Sequence, residues 1–167
     1  INCNYYYRRS KQINIMKYTY DATFKMDRGD IVFRLYEETP MQVYRFWWNA
    51  KLGLFKGISF DRVIPGFMIQ TGPLPHSDGL SHDYMFDEVK PPNRKRDNNF
   101  HAYGVLSAAN TGSPNSSMGG FFICLSRLRT RHLDAGHTTF GHVIEGMELI
   151  EQIESGDIVH NIIITES

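Results

Sequence analysis

Three stretches of the 167-residue chain set chemically capable polar side chains among apolar ones. In the first, Phe60 to Gly72, Arg62, Met68 and Gln70 share one strand parity around the Pro65-Gly66 turn, which puts them on one face when the two halves pair. The second is Gly104 to Gly112, followed by a Ser/Asn/Gly-rich loop and Phe121-Phe122-Ile123-Cys124. The third is His132-Leu133-Asp134-Ala135-Gly136-His137-Thr138-Thr139-Phe140-Gly141. The guanidinium of Arg62 keeps its charge at any physiological pH, and a neighbour such as Gln70 can fix its planar fork, whereas a lysine would offer a mobile point charge. Taken singly, Arg62 reads as a surface ion-pair residue, Gln70 as a satisfied strand residue, and Phe67, Met68, Phe122 and Leu133 as core. His132, His137 and His142 suggest a metal by number alone, but no carboxylate pattern or helical His-x-x-x-His supports them, so no metal is expected. Cys3 and Cys124 have no metal-ligand spacing and read as free thiols, Cys124 as an inert one in a Phe-rich strand.

The elements that position these stretches are mostly strands. Hydrophobic residues make up 41% of the chain, enough for a sizeable core in one domain and too many for a disordered segment. Tyr18 to Met26 and Ile31 to Tyr36 are β-branched and aromatic runs joined by Asp27-Arg28-Gly29-Asp30, a hairpin. Thr39-Pro40 starts a helix carrying Met41, Tyr44, Trp47, Trp48 and Leu52 and closing at Gly53. Adjacent Trp47 and Trp48 cannot both be equally buried. A second helix is predicted over Glu145 to Ser155, apolar on Met147, Ile150 and Ile153 and acidic on Glu148, Glu151 and Glu154. Between and after them lie strand candidates at Ser59 to Ile64, Phe67 to Gln70, Tyr103 to Leu106, Phe121 to Leu125, Thr139 to Val143 and His160 to Thr165. This pattern predicts a mainly β fold, a closed antiparallel barrel whose open ends two helices cover.

Charge and punctuation exclude other classes. Eighteen Lys and Arg balance 18 Asp and Glu, so no global pull toward nucleic acid or an anionic membrane exists. Residues 102 to 126 carry no charged side chain, but Gly, Ser, Asn and Pro throughout bar a lipid-facing helix. The Tyr5-Tyr6-Tyr7-Arg8-Arg9 cluster is weak support for nucleic-acid binding, and residues 1–15 read as a leader ahead of a domain at 16–167. No secretory signal is evident, and a cytoplasmic monomer is expected.

The runs RVIPGFMIQ, LSAANTG, FFIC, HLDAGHTTFGHV and EGM, in this order from about Tyr18 to the C-terminus, resemble the cyclophilins, peptidyl-prolyl cis-trans isomerases that cyclosporin inhibits. The resemblance implies an eight-stranded antiparallel barrel capped by two helices. It further implies that Arg62 is the catalytic arginine, that Phe67, Met68, Phe122 and Leu133 line the pocket for the substrate proline, and that Gln70, Asn110 and His137 are active-site residues. Ala109, Thr111 and Gly79 then line the groove for the residues preceding proline. The implied reaction is rotation about X-Pro bonds in proline-containing peptides and unfolded chains, in aid of folding, with no cofactor. The alternative is a low-turnover module that grips a proline-containing segment of a partner.

Several positions depart from the family pattern. Asp61 stands where a His is usual, and strand alternation points it outward, away from Arg62. Thr71 replaces a usual Gly, which suggests a less close backbone approach, and Gly120 replaces a usual Gln, removing a polar contact to substrate. His132 occupies the position of a Trp in cyclosporin-sensitive members, which implies weakened cyclosporin binding.

Overall fold

A computed structural model describes residues 18–74, 99–113 and 116–167. Gly79 and the leader therefore lie outside the described residues. Eight antiparallel strands are present: β1 (Tyr20–Met26), β2 (Gly29–Leu35), β3 (Ile58–Ile64), β4 (Met68–Thr71), β5 (Val105–Ala108), β6 (Phe121–Cys124), β7 (Thr139–Glu145) and β8 (Ile158–Glu166). They close into a barrel in the order β1-β2-β7-β5-β6-β4-β3-β8. β1 and β2 form the expected hairpin, with Met26 opposite Gly29 across Asp27-Arg28, and Gly29 takes the φ of 129° that the turn requires. β5 starts two residues later than the pattern suggested, because Gly104 sits at a φ of 78° and its N–H and C=O bond Cys124 and Val143 outside the strand.

The barrel interior is an aromatic cluster. Phe24, Phe33, Phe55, Phe60, Phe121 and Phe140 are each 1% exposed or less, and Ile31, Ile69, Leu106 and Ile123 fill the space between them. α1 (Pro40–Lys51) drives Phe46 into this cluster, with ring centroids 4.8 Å from Phe55, 5.2 Å from Phe140 and 5.8 Å from Phe121. Pro40 stands at the start of α1 as expected, but the Thr39 hydroxyl makes no cap bond; only its carbonyl accepts the first helical bond, from the Val43 N–H at 3.0 Å. Trp47 is half-buried and Trp48 exposed.

The second helix is shorter than expected. Glu145 ends β7, Gly146 turns left-handed at φ 77°, and α-helix persists only over Met147–Ile150 before tightening into i→i−3 bonds at Gln152 and Ile153. Glu148, Glu151 and Glu154 repel one another at that spacing, and the Asp157 carboxylate takes the Glu154 N–H at 2.9 Å. Ile150 and Ile153 still face the core. A helical stretch absent from the sequence reading follows β6: α2 (Arg127–Thr130), capped by the Ser126 hydroxyl, continuing as a 3-10 turn over Arg131–Ala135. In chain order the one-turn helix Met147–Ile150 is α3.

Because Phe46 fills the barrel end among at least four rings, truncating it leaves a cavity the rigid strands cannot collapse into. Phe46→Ala should lower stability by about 3–5 kcal/mol in urea denaturation.

Candidate active site

β3 carries one residue more than its partner. The register pairs Phe60 with Thr71 and then Arg62 with Gln70, so Asp61 is a β-bulge. Simple alternation would put Phe60 and Arg62 on the same face. The bulge separates them, leaving Phe60 in the core and Arg62 exposed on the outer surface. The Asp61 carboxylate accepts from the Ser59 hydroxyl, and its carbonyl accepts from Ser155 Oγ at 3.2 Å. Among the described residues nothing forms a hydrogen bond or ion pair with the Arg62 side chain.

From Arg62 the outer face continues across the sheet. Gln70 lies opposite Phe122 on β6, and Phe122 opposite Ser107 on β5. In the adjoining row Met68 lies between Ile64 and Cys124. Alternate residues of these strands, Ile69, Phe121, Ile123 and Leu106, belong to the interior. The outer residues Met68, Val105, Phe122 and Cys124 form a second apolar cluster, against which Phe67, Leu133 and Ala109 pack half-buried. The four expected pocket residues are therefore together, beside Arg62 and Gln70. His132 is exposed and stacks on Phe67 at 5.9 Å.

Two asparagines fasten the segment that supplies Leu133 and His137. Asn99 is buried; its amide donates to the carbonyls of Asp134 and His137, both at 2.7 Å, and its oxygen accepts from the N–H and hydroxyl of Thr139. Asn110 donates to the Gly136 carbonyl at 2.7 Å and accepts from the Gly112 N–H at 2.9 Å. The Asn110 side chain thus shapes the loop, and its backbone makes no backbone–backbone bond among the described residues. Ala109 is half-buried and Thr111 exposed along the same edge. The His137 ring meets Phe122 edge-on at 5.3 Å, and its Nδ1–H donates to the Ala108 carbonyl at 2.9 Å, which leaves Nε2 as the acceptor nitrogen, without a hydrogen bond among the described residues.

Sequence reasoning missed a polar chain beneath the pocket. His101 has no solvent exposure; its ring stacks on Phe122 at 5.8 Å. Its Nδ1–H and backbone N–H both donate to Asp134 Oδ1 at 2.9 Å, and Ser107 Oγ donates to its Nε2 at 2.7 Å. Arg127 Nη1 closes the chain on Asp134 at 2.7 Å. Burial raises the Asp134 carboxyl, but the bonds from His101 and Arg127 outweigh it and hold the group below its usual range. Burial drives His101 down to about 4 despite the neighbouring carboxylate. Asp134 lies within a noted motif; His101 carried no signal, its partners being six and 33 residues away.

Other departures have structural reasons. Thr71 is buried, and its hydroxyl accepts from the Phe121 N–H at 3.1 Å and donates to its carbonyl at 3.3 Å, replacing a backbone rung. A side chain at Gly120 would bring its Cβ within 2.7 Å of the Gly72 carbonyl oxygen. Burial pushes the Cys124 thiol up to about 12, so it stays protonated and unreactive. No group of His, Cys, Asp and Glu among the described residues forms a metal cluster. No described helix is long and apolar enough to cross a membrane. A separate apolar cavity between α1 and the β1–β2 sheet, walled by Tyr20, Leu35, Val43 and Trp47, shares no residue with this site.

An outward-facing arginine thus stands beside an apolar pocket on the surface of a closed eight-stranded barrel. Residues 21–166 match the family model of the cyclophilin type peptidyl-prolyl cis-trans isomerases. A peptidyl-prolyl cis-trans isomerase of Helicobacter pylori is 32% identical over 163 residues, covering 94% of this chain and 93% of the relative. The peptidyl-prolyl cis-trans isomerase-like 1 of Emericella nidulans is 34% identical over 134 residues, 80% of each chain. The crystal structure of a Cryptosporidium parvum cyclophilin type isomerase superposes with a TM-score of 0.73 at 27% identity, covering 90% of this chain and 99% of the other. A related structure, obtained in the presence of the dipeptide Ala-Pro, gives 0.71 at 25% identity. The chain belongs to the cyclophilin-type peptidyl-prolyl cis-trans isomerase family and is an isomerase of that class.

Burial of neutral His101 makes stability depend on pH. The unfolded chain takes up a proton near the ordinary histidine value of 6.5, and the folded chain only near 4. Stability is therefore complete above about pH 6.5 and declines as the pH falls toward about 4. The loss from this group is about 2 kcal/mol at pH 5 and about 3 kcal/mol in all. Urea midpoints between pH 7 and 5 measure it, and the His101 ring should remain neutral by NMR across that interval.

Proposed function

We propose that the domain catalyses rotation about X-Pro bonds by holding the proline ring against Phe67, Met68, Phe122 and Leu133 while Arg62 donates to the proline nitrogen. The observation that carries this reading is the juxtaposition, across the β3–β4 pair, of that pocket and an outward guanidinium that no carboxylate among the described residues pairs with. Amide resonance sets a barrier of about 18–20 kcal/mol. The nitrogen lone pair becomes available only when the amide twists, so a guanidinium placed there binds the twisted state better than the planar one. Removing about 5–7 kcal/mol of that barrier is worth roughly four to five decades in rate. No bond breaks, so the reaction needs neither nucleophile nor cofactor.

The surrounding residues divide the remaining work. Gln70, directly opposite Arg62 in the strand register, stands beside it on the face that meets the peptide. The peptide backbone meets the main chain of Asn110, which the Asn110 side chain fixes against Gly136. Ala109 and Thr111 border the path of the preceding residues, and His137 presents Nε2 to it. The substrates are proline-containing peptides and unfolded chains; the Ala-Pro structure of the Cryptosporidium relative supports this class. A cytoplasmic monomer is part of the reading.

Two-dimensional exchange NMR on an Ala-Pro peptide tests the proposal. The parent should give cis–trans exchange cross-peaks, while Arg62→Ala should lose at least about a hundredfold in rate with its fold intact by circular dichroism. Binding without exchange by the parent would make the domain a receptor for proline segments and refute catalysis.

Cyclosporin should bind weakly, because the His132 imidazole on Phe67 covers less apolar surface than an indole. His132→Trp should tighten cyclosporin by roughly tenfold or more in a fluorescence titration.

A further inference from the structure

The pocket rim carries a positive charge that is held in place. Arg129 on α2 sets its guanidinium carbon 5.7 Å from the centre of the Phe67 ring, and its Nη1 donates to the Pro65 carbonyl at 3.2 Å. The side chain is exposed and has no carboxylate partner among the described residues. Arg131, also exposed, adjoins His132 in the chain, and Arg62 stands on the same outer surface. Of the described acids nearby, Asp134 is taken by Arg127 and His101, and Asp61, beside Arg62 in the chain, is bonded by the Ser59 hydroxyl. Arg129 thus stands at the pocket rim with no described ion-pair partner, in a chain whose total charge is zero.

Resting on the assignment of this pocket to the substrate proline, we propose that the domain selects X-Pro segments bearing an anionic side chain, carboxylate or phosphate, within two residues of the proline, with Arg129 as the specificity-determining contact. Phe67 would contact the proline ring, and successive residues of an extended peptide advance by about 3.3–3.6 Å, so a side chain one or two positions away lies within reach of a guanidinium over that ring. A guanidinium already anchored by a carbonyl and an aromatic face loses little freedom on pairing and accepts either anion through its fork of donors.

The test compares kcat/KM by exchange NMR for peptides differing only in the residues flanking proline: alanine, glutamate, phosphoserine or lysine, before or after it. Anionic peptides should exceed the alanine peptide by roughly threefold to tenfold, and 0.5 M salt should abolish the gain. Arg129→Gln should remove that advantage, and Arg129→Glu should transfer it to the lysine peptide. A gain for glutamate and phosphoserine, or for either alone, supports the proposal and identifies the anion. Equal values for all peptides with measurable turnover overturn it while leaving the isomerase reading intact. If no peptide is turned over, the isomerase reading fails, and chemical-shift titration of the same peptides decides the preference: equal affinities overturn it, and tighter anionic binding that Arg129→Gln abolishes supports it.

Discussion

One extra residue in β3 decides what this barrel presents to solvent. With Asp61 bulged out of register, Phe60 remains in the aromatic core and Arg62, two residues on, emerges outside opposite Gln70. Without the bulge, a guanidinium would be directed into a cluster of phenylalanines at prohibitive desolvation cost, or Phe60 would be lost to solvent. The rest of the site depends on this switch, because Gln70, Phe122 and Met68 stand in rows whose end is Arg62 and Ile64.

The outer face of a barrel is a shallow surface, and the chain makes a pocket of it by laying residues 127–137 across the strands. That segment is one turn of α-helix continued as a 3-10 turn, and polar bonds hold it in place. Asn99 and Asn110 grip its carbonyls, and Arg127, Asp134, His101 and Ser107 form a buried chain under Phe122. Buried polar groups of this kind are specific when fully bonded and costly when not. The pocket is therefore preformed: Phe122 rests on a neutral imidazole, and His137 is turned by its bond to the Ala108 carbonyl. Preorganisation of this kind suits the proposed mechanism, in which only geometry and one donor act on the substrate.

Much of this was legible in the sequence, and the remainder has identifiable reasons. The β1–β2 hairpin, the barrel and the start of α1 followed from alternation, a turn glycine and Thr39-Pro40, all local signals. Helix at Glu145 to Ser155 was overestimated because the apolar spacing of Ile150 and Ile153 persists through a tighter turn than α-helix. A bulge leaves no mark in residue type, so alternation alone could not show that Phe60 and Arg62 face opposite ways. At Gly120 the sequence shows only that a side chain is missing; that the Gly72 carbonyl takes its space is visible only in the fold. His101 and Arg129 depend on partners far along the chain, Asp134 and Pro65, whose approach only the folded barrel creates.

The central claim is that the outer pocket beside Arg62, and no other concavity, receives the substrate proline. Intermolecular NOEs between the proline Hγ and Hδ protons of a bound Ala-Pro peptide and the assigned Met68 methyl and Phe122 ring protons measure it directly. The account predicts strong NOEs to both, with the Arg62 side-chain protons close to proline Hδ. NOEs confined to Tyr20, Val43 and Trp47, in the cavity beside α1, would contradict it.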